Sequence, residues 1–269
     1  MESVAAPVAH KAIGTELVRD WTPSSEPKAT VVVVHGLAEH SGRYERTGSL
    51  LSDAGFHVRS FDLIGAGASG GDRWDIDDWN RYHDQIQTHV EWAKEQGRPV
   101  VLMGHSMGGN LVLGYAISDR PPPDLLVASA PALGGGAAWQ RAIAPVVARL
   151  VPTLSISNGL KGEQLSRDPA VAEAYFADPL VHPKSTTRLG AALFAAMDDV
   201  ASNCDRLHLP TLVLHGGLDT IVPPQSSAFL ESLPGVDRRL YPSLRHEILN
   251  EPEGPEVVSD IIDWVDARI

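Results

Sequence analysis

Val100-Val-Leu-Met-Gly104-His-Ser106-Met-Gly108-Gly109 is the stretch that decides how this chain folds. Its first four residues are apolar without alternation, the pattern of a strand buried on both faces. The glycines flanking His105-Ser106-Met107 permit a turn too tight for side chains, and residues 107–118 then read as a helix. A G-x-S-x-G string between a strand and a helix holds its serine on a strained turn with the hydroxyl exposed. The helix behind it aims its first N–H groups and its dipole at the place where an oxyanion forms.

On both sides of this stretch, short β-branched runs alternate with helical patterns. Residues 31–34, 56–61, 125–129 and 212–215 read as further strands, and the more polar 238–241 as one nearer an edge. Residues 44–54, 77–96, 225–233 and 256–269 read as helices. This alternation predicts an α/β fold with a central, mostly parallel sheet flanked by helices. It breaks once. Between Leu133 and Ala201 no strand is legible, and apolar residues in 142–151 and 189–197 recur at helical spacing. A simple crossover is much shorter, so the sequence predicts a helical lid inserted into one domain: core over 1–132, lid over 133–205, core again over 206–269.

A nucleophilic serine needs a base, and the base needs an orienting acid. In strand–turn–helix sites of this kind the acid and the histidine follow later strands, in the order Ser, Asp, His. Asp219 in His215-Gly-Gly-Leu-Asp219 and His246 in Ser243-Leu-Arg-His246 occupy those places, whereas Asp199 and Asp205 precede their strand. Of the eleven histidines, His10, His57, His83 and His89 read as surface residues, His105 as pointing away from the nucleophile, and His215 as structural. The oxyanion hole is expected from the Met107 N–H and from the Leu37 N–H in His35-Gly36-Leu37.

Composition narrows the chemistry. A net charge of −12 over 269 residues disfavours nucleic acid as a partner, and the lone Cys204 excludes an internal disulfide and a cysteine-based zinc site. Gly65-Ala-Gly67-Ala-Ser-Gly70 matches the dinucleotide-binding fingerprint, but Gly71-Asp-Arg-Trp74 intervenes where a helix must open. His246-Glu-Ile-Leu-Asn250 lacks the second histidine of a zinc-binding helix. Neither metal nor cofactor is expected. The first residues show no signal-peptide pattern, and no apolar run is long enough to span a bilayer, so a cytoplasmic location is expected.

These residues carry a resemblance. His35-Gly-Leu-Ala-Glu39-His40-Ser-Gly-Arg43-Tyr44 with the serine motif is similar to the monoacylglycerol lipases of the α/β-hydrolase superfamily. Ser166-Arg-Asp, Tyr175-Phe-Ala-Asp178-Pro-Leu180, Leu214-His-Gly-Gly-Leu-Asp219 and His246-Glu with Asn250-Glu251-Pro252 extend the match. The resemblance implies an α/β-hydrolase fold and cofactor-free cleavage of a lipid-like monoacylglycerol to glycerol and a fatty acid. It implies that Glu39, Arg43 and Tyr175 form the polar end of the pocket; the alternative reading has Glu39 and Arg43 pair to hold their loop and Tyr175 pack in the lid. It also implies that apolar lid helices supply the acyl tunnel. Through Trp139, Ile143, Val147 and Leu150 they would touch lipid surfaces, making the protein peripherally membrane-associated, the alternative being that this stripe is buried against the sheet. One departure stands out: the polar residues of the family's Asp-x-x-Gly-His-Gly-x-Ser loop are replaced in Asp62-Leu-Ile-Gly65-Ala66-Gly67-Ala-Ser69. Broader carboxylesterases and lysophospholipases use the same triad, and non-catalytic receptors of this fold also keep it. Acyl length, ester position and oligomeric state are not encoded in any of these motifs.

Overall fold

The valine run at residues 31–34 is buried throughout, in β3, an inner strand of an eight-stranded sheet. The computed structural model describes residues 3–10 and 14–269. Along the chain come β1 (Val4–His10), β2 (Gly14–Trp21), β3 (Ala29–Val34), α1 (Glu45–Asp53), β4 (Phe56–Phe61), α2 (Asn80–Glu95), β5 (Val100–His105), α3 (Met107–Ala116) and β6 (Leu125–Ser129). There follow α4 (Ala138–Leu150), β7 (Ser155–Ser157), α5 (Gly162–Leu165), α6 (Pro169–Ala177), β8 (Lys184–Thr186) and α7 (Thr187–Asn203). The chain then returns to the sheet with β9 (Thr211–Gly216), β10 (Val236–Tyr241) and α8 (Gly254–Asp266).

Sheet order is β1-β2-β4-β3-β5-β6-β9-β10. Only β2 runs against its neighbours; every pairing from β4 to β10 is parallel. Successive side chains of a strand point to opposite faces. Val32 and Val34 accordingly pack with Ile86 of α2 and Leu111 of α3, while Val31 and Val33 pack with Leu51 of α1 and Ile261 of α8. Each such valine, fully buried, contributes about 1.5–3 kcal/mol. Covering both faces with helices is what makes an unalternated apolar strand stable, and it leaves the C-terminal strand ends free to carry ligand-facing loops.

Three elements depart from expectation. The antiparallel pair β1–β2 adds two strands at one edge that no apolar run announced. Two three-residue strands, β7 and β8, pair antiparallel between α4 and α7, where no strand was expected. The residues of β7 are all exposed, so the strand leaves no pattern of buried apolar positions. The helix expected at 225–233 is a 3-10 segment, Pro224–Ser232. There the hydroxyls of Ser226 and Ser227 bond back to the carbonyls of Pro223 and Pro224, competing with regular α-helical bonding.

Candidate active site

Ser106 sits between β5 and α3 with φ 54 and ψ −118, a backbone conformation that costs on the order of 1–3 kcal/mol for a residue bearing a side chain. The flanking glycines are required there. A Cβ on Gly104 would lie 2.2 Å from the Gly108 carbonyl oxygen, and one on Gly108 would lie 2.1 Å from that of Val34. The Ser106 N–H donates to the Ser129 carbonyl at 2.9 Å, and its own carbonyl accepts from Asn110 and Ala132 at 3.0 and 2.9 Å. The strained turn is therefore held from both sides.

His246 lies in the loop after β10, with Nε2 2.9 Å from Ser106 Oγ and Nδ1 2.7 Å from Asp219 Oδ2. A carboxylate accepts only, so the imidazole proton sits on Nδ1 and Nε2 is left to accept from the serine hydroxyl. The other carboxylate oxygen of Asp219 accepts from the backbone N–H groups of Ile221 and Val222 at 2.8 and 2.9 Å. Burial pushes the Asp219 carboxyl up, but hydrogen bonds from His215 and His246 outweigh it and hold the group well below the usual carboxylate range. His215 Nε2 is 3.3 Å from Asp219 Oδ2 and 2.9 Å from the Val222 carbonyl, and its Nδ1 meets Ser227 Oγ at 2.9 Å. It buttresses the acid as well as closing the strand.

Leu37 and Met107 line the same cavity as Ser106 and His246. Among the described residues neither of their N–H groups donates to a backbone carbonyl. Gly36 lets the loop approach the nucleophile: a Cβ there would lie 3.2 Å from that of Ser106. The loop is pinned at two points. Buried His35 donates from Nδ1 to the Gly36 carbonyl at 2.8 Å and accepts the Leu63 N–H on Nε2 at 2.9 Å. Glu39 Oε1 accepts from the Gly36 N–H at 2.6 Å and from the Tyr44 hydroxyl at 2.9 Å.

The three residues expected at the polar end come together. Arg43 bridges Glu39 Oε2, at 2.8 Å, to Glu247, which it meets through two bonds of 2.7 and 2.8 Å, and its guanidinium lies 4.7 Å over the Tyr175 ring. Burial pushes the Glu39 carboxyl up, but the charge of Arg43, the neighbouring His105 and His35 and the Gly36 N–H together outweigh this and hold it down to about 2. Tyr175 is buried, with the Asn158 side chain beside its hydroxyl. The cavity, about 510 Å³, runs from this end past Ser106 to an apolar wall of Trp139, Ile143, Val147, Leu193, Phe194 and Met197.

Some residues lie elsewhere than expected. The His105 ring does not point away: its centroid is 4.8 Å from that of His246, and its Nδ1 meets Ser129 Oγ at 3.2 Å. Burial, then the neighbouring His246, hold His105 down to about 4. His83 and His89 are buried rather than solvated, because α2 turns them into the core. Gly65–Gly70 is a loop wrapped round the Asp62 carboxylate, which accepts from Ser41 and from the Ala68 N–H at 2.8 Å, and the next helix opens only at Asn80. Glu247 and Glu251 belong to the matched motif, but the sequence assigned them no role. Glu251 accepts from Ser166 Oγ, Arg167 N and Arg245 N at 3.0, 2.9 and 2.7 Å, tying the segment before α6 to the loop that carries His246. Their one local signal is their place within five residues of the histidine.

Fold and site together define an α/β hydrolase. The family model described as serine aminopeptidase, S33, matches residues 25–253, and the chain belongs to that family. It is 34% identical to the monoacylglycerol lipase of Mycolicibacterium smegmatis, over 94% of this chain and 93% of that one. The crystal structure of Paleococcus ferrophilus monoacylglycerol lipase matches with a TM-score of 0.85 and 34% identity, covering all of both chains. A soluble variant of the Saccharomyces cerevisiae monoglyceride lipase, in complex with a substrate analog, shares the fold at a TM-score of 0.91 and 22% identity, over 100% of this chain and 96% of that one.

Proposed function

We propose that this chain hydrolyses monoacylglycerols to glycerol and a free fatty acid through an acyl-serine intermediate. The observation that carries the reading is the hydrogen-bonded series Ser106–His246–Asp219, set in a cavity with one polar and one apolar end. The 34% identity to a monoacylglycerol lipase over nearly the full length of both chains supports the substrate class.

In this reading His246 takes the Ser106 proton on Nε2 as Oγ attacks the ester carbonyl. Asp219 keeps the ring in the required tautomer and stabilises the imidazolium. The N–H groups of Leu37 and Met107 receive the developing oxyanion, a contribution on the order of 3–4 kcal/mol per donor. The imidazolium then returns its proton to the glycerol oxygen, and the C–O bond breaks. Water, deprotonated by His246, attacks the acyl ester and releases the fatty acid with Ser106 restored.

The glycerol headgroup fits the end formed by Arg43, Glu39 and Tyr175, with the Asn158 amide beside them. The acyl chain fits the apolar wall. Residues 133–205 act as a lid over the strand ends. No helix among the described residues is long and apolar enough to cross a membrane, and contact with a lipid surface is assigned to the lid. Its Trp139 and Leu150 are 63% and 75% exposed, and Ile143 is also exposed, while Val147 turns towards the cavity.

The test is glycerol release from a medium-chain monoacylglycerol, beside the matching triacylglycerol and a p-nitrophenyl ester, for the wild type and Ser106→Ala. Release mainly from the monoacylglycerol, abolished in the variant, is expected. Cleavage of the activated ester alone would sink the substrate assignment and leave a general esterase.

A further inference from the structure

His246 sits on a stretch, residues 242–251, that forms neither helix nor strand. No regular ladder fixes where its ring falls, and the N–H groups around it must find partners elsewhere. Three successive ones do. The Arg245 N–H donates to Glu251 Oε1 at 2.7 Å, the His246 N–H to the Gln164 carbonyl at 3.4 Å, and the Glu247 N–H to the Leu165 carbonyl at 2.8 Å.

Glu251 joins these contacts into one clamp. Its side chain is fully buried, and Oε2 accepts from Ser166 Oγ, the Arg167 N–H and Arg167 Nε at 3.0, 2.9 and 3.3 Å. The Arg245 guanidinium adds a second strap, to the Ser166 carbonyl at 2.9 Å. One carboxylate oxygen thus fixes the residue before His246. The other fixes the segment just after α5, whose last residues, Gln164 and Leu165, take the His246 and Glu247 N–H groups.

The clamp has a firm base. The Glu251 carbonyl accepts from Gly254, the first residue of α8, at 2.8 Å and from Arg46 of α1 at 3.3 Å. α8 packs into the core through Val257, Val258, Ile261 and Trp264. A Cβ on Gly254 would lie 2.2 Å from the Leu249 carbonyl oxygen, so glycine lets α8 start this close to the histidine loop.

A buried carboxylate is costly, and a plain packing contact does not need one. An ionised carboxylate only accepts, so both of its oxygens can face N–H groups at once. An amide of the same shape would turn its NH₂ against the N–H of either Arg245 or Arg167. The charge itself is met by these hydrogen bonds and by the Arg167 guanidinium.

We propose that Glu251 is a positioning residue for the reaction. Through Arg245 on one side and the end of α5 on the other, it sets the backbone of His246 so that Nε2 lies within hydrogen-bond reach of Ser106 Oγ. The inference rests on the reading of Ser106, His246 and Asp219 as nucleophile, base and acid. Asp219 orients the imidazole through Nδ1 but does not hold the backbone beneath it; Glu251 supplies that second constraint. A misplacement of about 1 Å at a reacting group can lower a rate about 100-fold.

The test compares wild type, Glu251→Gln and Ser106→Ala in steady-state hydrolysis of p-nitrophenyl butyrate, well below each melting temperature. The downfield proton resonance of the His246 Nδ1–H is followed by NMR in the same full-length proteins. Glu251→Gln is expected to lower kcat about tenfold or more with KM within about twofold, and to displace or broaden that resonance. Glu251→Asp keeps the charge on a stem one methylene too short to reach both sides, and decides the matter if the amide variant does not fold. For it a kcat lowered about threefold and a displaced resonance are expected. A lower melting temperature with wild-type kcat and an unmoved resonance overturns the proposal, as does a raised KM at unchanged kcat. Hydrolysis that survives in Ser106→Ala, or no ester hydrolysis by the wild type, counts against the ester reading instead, and the resonance alone then decides the role of Glu251.

Discussion

The carboxylate of Glu39 accepts the Gly36 N–H at 2.6 Å and so ties down the loop that carries Leu37. Both of its oxygens are engaged, one by Gly36 and Tyr44, the other by Arg43. Glu39→Gln keeps the side chain's shape but offers the loop a weaker acceptor. The expected result is a kcat lowered about 10- to 100-fold with little change in KM, since displacing an oxyanion donor costs less than deleting one. Steady-state kinetics on a soluble ester checks it; a rise in KM at unchanged kcat would assign Glu39 to substrate binding instead.

Arg43 stands between two buried carboxylates, those of Glu39 and Glu247. Removing it strands both charges, and breaking a buried pair in this way costs about 3–5 kcal/mol. Arg43→Met is expected to lose stability on that scale in urea unfolding. Arg43→Lys recovers only part of it, because an ammonium does not reproduce the two-pronged contact with Glu247.

Burial holds down His35, His83, His105 and His182, with His105 and His83 each brought to about 4. The unfolded chain binds protons at both sites below about pH 6.5, the folded one only near 4. Stability from this source is complete above pH 6.5 and is lost as the pH falls through the folded values. Melting temperature is expected to fall between pH 6.5 and 5, and to fall less in His105→Gln. An equal fall in wild type and variant contradicts the assignment.

Asp219 binds the His246 Nδ1–H at 2.7 Å while its other oxygen takes two backbone N–H groups. Asp219→Asn keeps the volume but favours the wrong imidazole tautomer. A kcat about 10⁴-fold lower is expected at neutral pH, with thermal unfolding measured alongside to show that the chain still folds.

The parts of this molecule that local chemistry dictates were legible in its sequence. A strand buried on both faces has to be apolar at every position, as in 31–34, and the turn at Ser106 has to be flanked by glycines because their Cβ atoms would strike Gly108 and Val34. What escaped reading depends on distance in the chain or on side-chain direction. Arg43 meets Glu247 across 204 residues, and nothing local to either announces the pair. His105 was misread because residue order on a tight turn does not reveal that its ring lies tilted beside that of His246. The exposed strand β7 carries no buried apolar face for periodicity to detect.

The central claim is that Ser106 carries the acyl group. Its most direct test is rapid quenching of the enzyme mixed with 1-monolauroylglycerol, followed by intact-mass and peptide mass spectrometry. The account predicts one added lauroyl group on the peptide containing Ser106, absent in Ser106→Ala. Acylation at another residue, or steady turnover with an acyl group never found on Ser106 under conditions that trap the intermediate, would contradict it.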